Sequence, residues 1–568
     1  MSKNILITSA LPYINNFPHM GHIVGCHLPA DIFYRFNKQV GNNAIFVGGS
    51  DEHGTAALIS AKSVNLEPKE FVDRLSSYHK KIYDKLCISY DIYSGTSVDV
   101  HKEITYDFFN ALKENGLIDI IESKMPYCEK DNIFLADRFI EGTCPVCGYE
   151  HAYGDQCDKC GTTYETESLK NPHCKFCGIA PVNKPTYHYY YNLSKVEDEL
   201  KDWIESKKNI WRPHVYAEAM RWIKEGLKPR CITRDIPWGI PVKVENDEKV
   251  FYVWFEAPIA YISFVKQLGG DEYVDKFWKD ENTLIYNFIG KDNIPFHTVF
   301  FPAMLLGAKK YNLAYNVVGL NFMNFEGQKF SKSKGIGVFC DKLLTSDIDI
   351  DSLRAYLTTS IPENKDSDFK WEGLKDNTNS ELVGKFGNFF NRCLNMIQKN
   401  FEGRLDFEIT EKIVLNDEDK IMIEAIKSYP EKIKNLFENV ELREAYKQIM
   451  AFSSVGNLYI EKSAPWSLIK NGDIENAKKV LYLALCMAKN LAVLAYPIIP
   501  NKTSEIWKQL NFSGNCYDKN IYDELGKLNV KKDHCINAPS PLFNRIDDDM
   551  LASYREHFSK AGDLKDFL

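Results

Sequence analysis

The 568-residue sequence lacks an uninterrupted apolar stretch of membrane-spanning length. Its longest run, Val480 to Tyr496, is broken by Lys489 and Asn490 and closed by Pro497. A span needs about 20 mostly apolar residues, so this run predicts a buried helix instead. A secretory h-region is also missing, because Met1-Ser2-Lys3-Asn4 leads into only Ile5-Leu6-Ile7 before Pro12. The expected compartment is cytosolic and reducing. There the fifteen cysteines are thiols or metal ligands rather than disulfides. Basic residues are not in excess: 70 Lys and Arg against 78 Asp and Glu leave −8. That excludes a wholesale basic footprint for nucleic acid and leaves room only for a local basic face. The chain has no internal repeat and no low-complexity linker. With 44% hydrophobic and 26% charged residues, it cannot be a disordered chain, a collagen or a coiled-coil rod. At about 100–200 residues per domain, the length predicts about three to five structural units.

What is present begins as α/β. Asn4 to Ala10 predicts a strand, and Met20 to Lys38 carries Ile23, Val24, Leu28, Ile32, Phe33 and Phe36 at helical spacing. Ala44-Ile45-Phe46-Val47, ended by Gly48-Gly49, predicts a second, buried strand. Strand, helix and strand with short connections imply a parallel βαβ unit. A cysteine-rich stretch from about 120 to 225 breaks the rhythm and reads as an insertion. The α/β pattern returns at Phe251–Trp254 and Leu284–Ile289. Beyond about 376 the pattern is helical. Leu382, Phe386, Phe389, Phe390, Cys393, Leu394 and Ile397 recur at three- and four-residue steps, and Gly403 is placed to stop that helix. The last 48 residues or so are polar and carry no clear period.

Two motifs point to phosphate chemistry. Pro18-His19-Met20-Gly21-His22 follows the first strand and opens the first helix. Backbone N–H groups at such a helix start attract phosphate, and two imidazoles three residues apart add donors on the same face. Gly21 has no side chain to keep a flat base off the backbone. Lys329-Phe330-Ser331-Lys332-Ser333-Lys334-Gly335 puts three lysines and two serines on a glycine-flanked loop. Lysine acts on phosphate as a point charge, which suits a mobile clamp. The loop lacks the Gly-x-x-x-x-Gly-Lys spacing of a P-loop.

Seven of the fifteen cysteines lie between Cys128 and Cys177. Cys144-x2-Cys147-x9-Cys157-x2-Cys160 has the spacing of two knuckles that place four thiolates tetrahedrally around Zn²⁺. A further pair, Cys174-x2-Cys177, gains a third thiol from Cys128, with Asp131 or His173 as the fourth ligand of a second metal site. Closed sites with four protein ligands are structural, since no position is left for a substrate water.

These motifs occur together with others. Ala10-Leu11-Pro12-Tyr13, Gly49-Ser50-Asp51-Glu52-His53-Gly54, Tyr252-Val253-Trp254-Phe255-Glu256-Ala257-Pro258, Phe288-Ile289-Gly290-Lys291-Asp292 and Ala464-Pro465-Trp466 follow in order along the chain. The set resembles the class I aminoacyl-tRNA synthetases and, within them, the methionyl-tRNA synthetase family over about residues 4 to 500. One departure is Phe330, where the family loop usually has Met. That side chain is expected to pack rather than to touch phosphate.

The resemblance implies a class I Rossmann-type nucleotide-binding catalytic domain with a zinc-knuckle insertion, followed by an all-α anticodon-binding bundle. The implied divisions are 1–118 and 226–318 for the two catalytic halves and 119–225 for the inserted connective domain. A loop-bearing linking subdomain covers 319–375, the helical domain 376–520 and a C-terminal tail 521–568. It implies a ligase that uses ATP with Mg²⁺ to form methionyl-adenylate and pyrophosphate from L-methionine. Methionine is then passed to the terminal adenosine of tRNA(Met). His19 and His22 would bind the triphosphate, Gly21 would lie under the adenine, and Lys329 and Lys332, with Ser331 and Ser333, would hold the leaving pyrophosphate. The amino-acid pocket would comprise Ala10, Leu11, Tyr13, Trp254, Ala257, Pro258, Tyr261, Ile289 and His297, with Asp51 pairing the α-ammonium. Arg234 and Asp292 would contact the adenylate, and Asn388, Arg392 and Trp466 the anticodon. No DNA and no membrane partner is expected. Many relatives carry a further C-terminal oligonucleotide-binding domain that dimerises. This chain reaches Leu568 without a β-rich segment of that size, as in a short monomeric form or a shortened chain.

Overall fold

Five short apolar strands build the central sheet of the computed structural model, which describes residues 2–162, 164, 166–330 and 336–567. They are β1 (Asn4–Ser9), β2 (Asn43–Ser50), β3 (Ile92–Gly95), β4 (Leu284–Gly290) and β5 (Asn316–Leu320). All neighbours run parallel in the order β5-β4-β1-β2-β3. Leu6, Ile7, Phe46, Val47, Phe288, Ile289 and Val317 are all buried, as a parallel sheet covered on both faces requires. Gly49 is needed for closeness: a Cβ there would meet the Ser94 carbonyl oxygen at 2.3 Å. The strand order reverses direction between β1 and β4. In open α/β sheets ligands bind in the crevice outside that switch point.

The helix predicted from Met20 runs to Gln39 but is not uniform. Residues Ile23–His27 form a π turn between the short α segment Met20–His22 and Leu28–Gln39. A second π turn, Phe296–Phe300, follows β4 and opens the helix Phe301–Ala308. Single π turns frequently mark functional positions, because the extra residue re-aims a side chain. Here they carry His27 and His297.

The cysteine-rich stretch folds on two sheets. Ile118–Cys128 pairs antiparallel with Val182–Tyr191 as a long ribbon. Beside it, Ile140–Thr143 pairs with Ala152–Tyr153 and Lys170–Cys174. The return of the α/β pattern at Phe251–Trp254 is narrower than its composition predicts. The strand stops at Phe251, and a helix begins at Val253 after extended Tyr252. The Arg234 guanidinium covers the Tyr252 ring at 3.6 Å, so that ring faces a cation instead of the core.

The remainder is helical. Asn377–Gly387 and Asn388–Phe401 form one continuous rod ended by Glu402 and Gly403, both at positive φ. Leu442–Ser463 and Ile474–Ala495 pack on it, Asp417–Glu438 packs on those two helices, and Pro500–Leu510 packs on Ile474–Ala495. The run from Val480 is a buried helix. Its Asn490 is satisfied within the fold, donating to Cys486 O at 2.7 Å and accepting from Gly526 N–H at 2.8 Å.

The polar tail does acquire structure, through contacts far away in sequence. His534–Cys535 pairs with Arg404–Leu405, and helix Asp548–His557 packs Tyr554 and its neighbour Phe558 on Trp371. Gly562 N–H then reaches Asp341 Oδ2 at 2.8 Å, close behind the lysine-rich loop.

Candidate functional site

The paired-histidine motif lies beyond the C-terminal end of β1, and the described start of the lysine-rich motif reaches it through Phe330. His19 caps the helix by accepting the Gly21 N–H on Nδ1 at 3.1 Å, and His22 Nδ1 accepts the His19 N–H at 3.1 Å. The two imidazoles stack with centroids 3.8 Å apart. A Cβ on Gly21 would sit 2.9 Å from the His19 ring, so no larger residue fits beneath that imidazole. Backbone bonds then fasten the far side of the lysine-rich loop to the histidines: Met20 N–H donates to Val338 O at 3.0 Å and Cys340 N–H to Pro18 O at 2.9 Å. Phe330 packs, as its chemistry predicts, and it does so face to face on His19 at 4.4 Å. Lys329 is exposed beside the site. Ser331, Lys332 and Ser333 lie outside the described residues.

The residues expected to hold the amino acid lie next to them. Ala10 N–H donates to Phe288 O at 2.9 Å, which ties the end of β1 to β4 at the switch point. Asp51 is 4% exposed and exchanges backbone bonds with Pro12 and Ile14. Its Oδ1 is buried with no hydrogen-bond partner. Burial, then the charges of Glu256 and Glu52, hold its carboxyl well above the usual range. Such an atom costs free energy until a donor reaches it. Tyr261 and Ile289 are buried. The Tyr261 hydroxyl lies 3.0 Å from His297 Nε2, and His297 Nδ1 lies 3.1 Å from Asn293 O. A carbonyl oxygen only accepts, so Nδ1 carries the proton, Nε2 is an acceptor and Tyr261 donates to it. Burial pushes His297 down to about 4, so this imidazole is neutral. Tyr13 and Trp254 meet near the surface: the indole N–H donates to the Tyr13 hydroxyl, and Phe296 meets the indole edge-on at 4.5 Å. Leu11 and Pro258 are half-buried and Ala257 is buried.

Arg234 reaches the site's rim from the strand Thr233–Arg234, over Tyr252. Asp292 is exposed in the turn after β4, where its Oδ1 would be 2.7 Å from a Cβ on Gly290. Sequence reasoning missed three buried residues behind the pocket: His53, His101 and Glu256, joined by hydrogen bonds. His53 and Glu256 stand in two of the quoted motifs, but nothing local signals that they meet each other and His101, since the three come from distant segments.

Among the described residues, two side-chain groups in the inserted region could hold a metal ion. Cys144, Cys147, Cys157 and Cys160 have their sulfurs mutually within 4.8 Å. Cys128, Asp131, Cys174 and Cys177 form the second group at the same limit. Of the two alternatives for its fourth ligand, Asp131 is in place, with Oδ2 3.1 Å from both Cys128 and Cys174. His173 lies near Asn171 O instead. Four convergent thiolates, or three and a carboxylate, are donor sets that suit a tetrahedral divalent metal.

In the helical part, Asn388 Nδ2 donates to Asn457 Oδ1 at 2.8 Å, and Arg392 Nη1 lies 3.4 Å from Asn457 O. The Arg392 guanidinium stands 5.6 Å from the Trp466 ring, which is 46% exposed. The three residues expected at the anticodon thus form one patch, and Asn457 is a fourth member that no motif announced.

A parallel sheet with paired histidines beyond its switch point, a lysine-rich sequence after them and an appended helical domain is the architecture of a class I aminoacyl-tRNA synthetase. The comparisons agree: residues 5–394 match the family model "tRNA synthetases class I (M)", and residues 410–563 the "Anticodon binding domain of methionyl tRNA ligase". The methionine–tRNA ligase of Sulfolobus acidocaldarius is 41% identical over 96% of this chain and 95% of its own length. That of Ignicoccus hospitalis is 37% identical over 98% of both. The fold superimposes on Mycobacterium tuberculosis methionyl-tRNA synthetase in complex with methionyl-adenylate, with TM-score 0.79, 22% identity, and coverage of 96% of this chain and 100% of that one. The chain belongs to the methionyl-tRNA synthetase family. No helix among the described residues is long and apolar enough to cross a membrane.

Proposed function

We propose that this chain is a methionine–tRNA ligase acting in two steps on ATP, L-methionine and tRNA(Met) in the cytoplasm. The observation that carries the reading is the buried, partnerless Asp51 Oδ1, on the segment that bridges to Tyr13 beyond the end of β1. An α-ammonium supplies the missing donor, and the pocket takes an unbranched, polarisable side chain against the Trp254 and Tyr261 rings. In step one the methionine carboxylate attacks the α-phosphorus of ATP, the α–β bridging bond breaks and pyrophosphate leaves. The attacking carboxylate is already ionised, so no general base is required. Such in-line displacement needs positioning and charge more than a protein nucleophile. His19 and His22 bind the phosphates, Gly21 underlies the adenine, and Lys329 and Lys332 with Ser331 and Ser333 hold the pyrophosphate. Arg234 and Asp292 fix the adenylate. Mg²⁺ accompanies ATP and neutralises phosphate charge. In step two the ribose hydroxyl of the terminal adenosine attacks the adenylate carbonyl and AMP leaves. Asn388, Arg392 and Trp466 read the anticodon.

The catalytic halves are 1–118 and 226–318, and the inserted 119–225 holds Zn²⁺ in a structural role. Cys144, Cys147, Cys157 and Cys160 take one ion, and Cys128, Asp131, Cys174 and Cys177 a second. The linking subdomain is 319–375, the anticodon domain 376–520 and the tail 521–568.

ATP–pyrophosphate exchange, run with each of the twenty amino acids and no tRNA, tests the reading. Exchange with methionine alone is expected. Exchange with a different amino acid would keep the class I chemistry and discard the pocket. No exchange from folded, metal-loaded protein would favour an RNA-binding relative without catalysis.

A further inference from the structure

Behind the methionine pocket, and out of reach of any substrate, sits a fully buried carboxylate. Glu256 ends the short helix Val253–Glu256, and its side chain has no exposure. Oε1 lies 2.9 Å from His53 Nδ1 and Oε2 2.7 Å from His101 Nε2. His53 is two residues beyond Asp51, whereas Glu256 is two beyond Trp254 and adjoins Ala257. His101 comes from a third element, the helix Asp99–Glu114, and is itself held by Ser263 Oγ at 2.9 Å. The bridge therefore joins the segment that carries the ammonium partner to the helix that carries the pocket aromatics. Trp238 locks the same segment from outside, donating Nε1–H to Glu52 O at 2.7 Å.

The bridge also sets a charge. Burial opposes ionisation of Glu256, but His53 and His101 outweigh it and hold the carboxyl below the usual range. Glu256 is thus an anion, and among charged neighbours it is the largest influence raising Asp51. Two like charges in a dry site repel, and a cation between or beside them relieves both. A ligand that brings an ammonium to Asp51 is consequently held by two carboxylates, only one of which it touches.

We propose that Glu256 is a positioning residue for the amino-acid site, whose buried charge, fixed by His53 and His101, strengthens the hold of Asp51 on the substrate's α-ammonium. This rests on the reading of Asp51 as the ammonium partner. It concerns a residue that contacts no reacting atom, so a loss of pocket shape must be told apart from a loss of charge.

Glu256→Gln read against the desamino analogue makes that separation: the amide keeps the size and removes the charge, its oxygen still accepts from one imidazole, and its NH2 group donates where the other imidazole turns an unprotonated nitrogen to it. The full chain is assayed by ATP–pyrophosphate exchange for KM of methionine, KM of ATP and kcat. Inhibition by 4-methylthiobutanoate, which is methionine without its amino group, is measured alongside. The expected result is a methionine KM raised on the order of tenfold, what one pK unit of interaction amounts to. The ATP KM and the inhibition constant of the desamino analogue stay within about twofold. A methionine KM within twofold of wild type would overturn the proposal. So would an equal weakening of methionine and the analogue, which is the signature of a merely structural bridge. If Glu256→Gln does not fold, Glu256→Asp retains the charge on a shorter arm. The ratio of methionine KM to analogue inhibition constant should then stay at the wild-type value, and a tenfold rise in it would overturn the proposal. Wild-type protein that shows no methionine-dependent exchange fails the underlying reading instead, and the proposal with it.

Discussion

At the scale of single residues, burial decides which side chains are chemical and which are structural. His27 and His297 both sit on π turns and both are neutral imidazoles, yet they face different tasks. His297 accepts a hydrogen bond from the Tyr261 hydroxyl, whereas His27 lies between Ser9, Tyr83 and Tyr90 in the core. Burial, assisted by His22 and His79, pushes His27 down to about 3. The unfolded chain binds a proton at this site below its ordinary value near about 6.5, and the folded chain does not. Stability from His27 is therefore intact above that pH and is lost as pH falls from about 6.5 toward 3, by roughly 5 kcal/mol at most. Urea titrations at several pH values would show it. His27→Asn should remove up to one proton from the uptake on unfolding between pH 6 and 4, and an unchanged slope would refute the assignment. Little of this was legible from sequence. The paired histidines of the first motif announced themselves by spacing. His27, His101 and the pairing of His53 with Glu256 did not, because each partner comes from another segment of the chain.

Elements were more legible than their joints. β1, β2 and β4 are short apolar runs bounded by turn residues, and a local pattern suffices for them. The knuckles are equally local: two cysteines two residues apart form one turn, and the antiparallel strands bring the turns together. The second metal group shows where locality ends. Sequence left Asp131 and His173 as equal alternatives. The pairing of Ile140 with Cys174 and of Tyr127 with Phe134 puts the Asp131 carboxylate among the three thiols. With zinc in both groups, atomic emission should find two ions per chain. Asp131→Ala should lower this to about one and leave the Cys144 group loaded, because the two ligand sets share no residue. Retention of two ions would remove Asp131 from the ligand set. Chelation of both ions should release the cysteine-rich region first, since metal binding and folding are one equilibrium in such small units. The tail was illegible for the converse reason. Helix Asp548–His557 has few apolar residues, and its place is set by Trp371 and Asp341 on other parts of the molecule.

At the scale of the whole molecule, the pocket and the Trp466 patch belong to one framework. Arg354 is completely buried at the joint. It donates to Asp31 Oδ2 at 2.7 Å, to Leu86 O at 2.9 Å and to Pro497 and Ile498 carbonyls at 2.9 Å. Phe36, on the helix behind β1, stacks on Phe437 of the helical part at 5.1 Å. Catalytic sheet and helical rod thus share a core, and a change that leaves this joint alone should leave the pocket alone. Trp466 offers that change. Its ring is half outside the fold and rests against the Arg392 guanidinium, so its removal opens no cavity near Arg354 or Asp51. Stacking of a nucleobase on an aromatic ring contributes about 1–3 kcal/mol, roughly five- to 150-fold in affinity. Trp466→Ala should therefore raise the KM for tRNA(Met) within that range in aminoacylation, while methionine-dependent pyrophosphate exchange keeps its wild-type rate. Arg392→Ala should do likewise, and the double variant should lose less than the product of the two, since the guanidinium and the indole support each other. Loss of exchange in a folded Trp466→Ala protein would mean that the patch acts on the pocket through the shared core rather than on RNA.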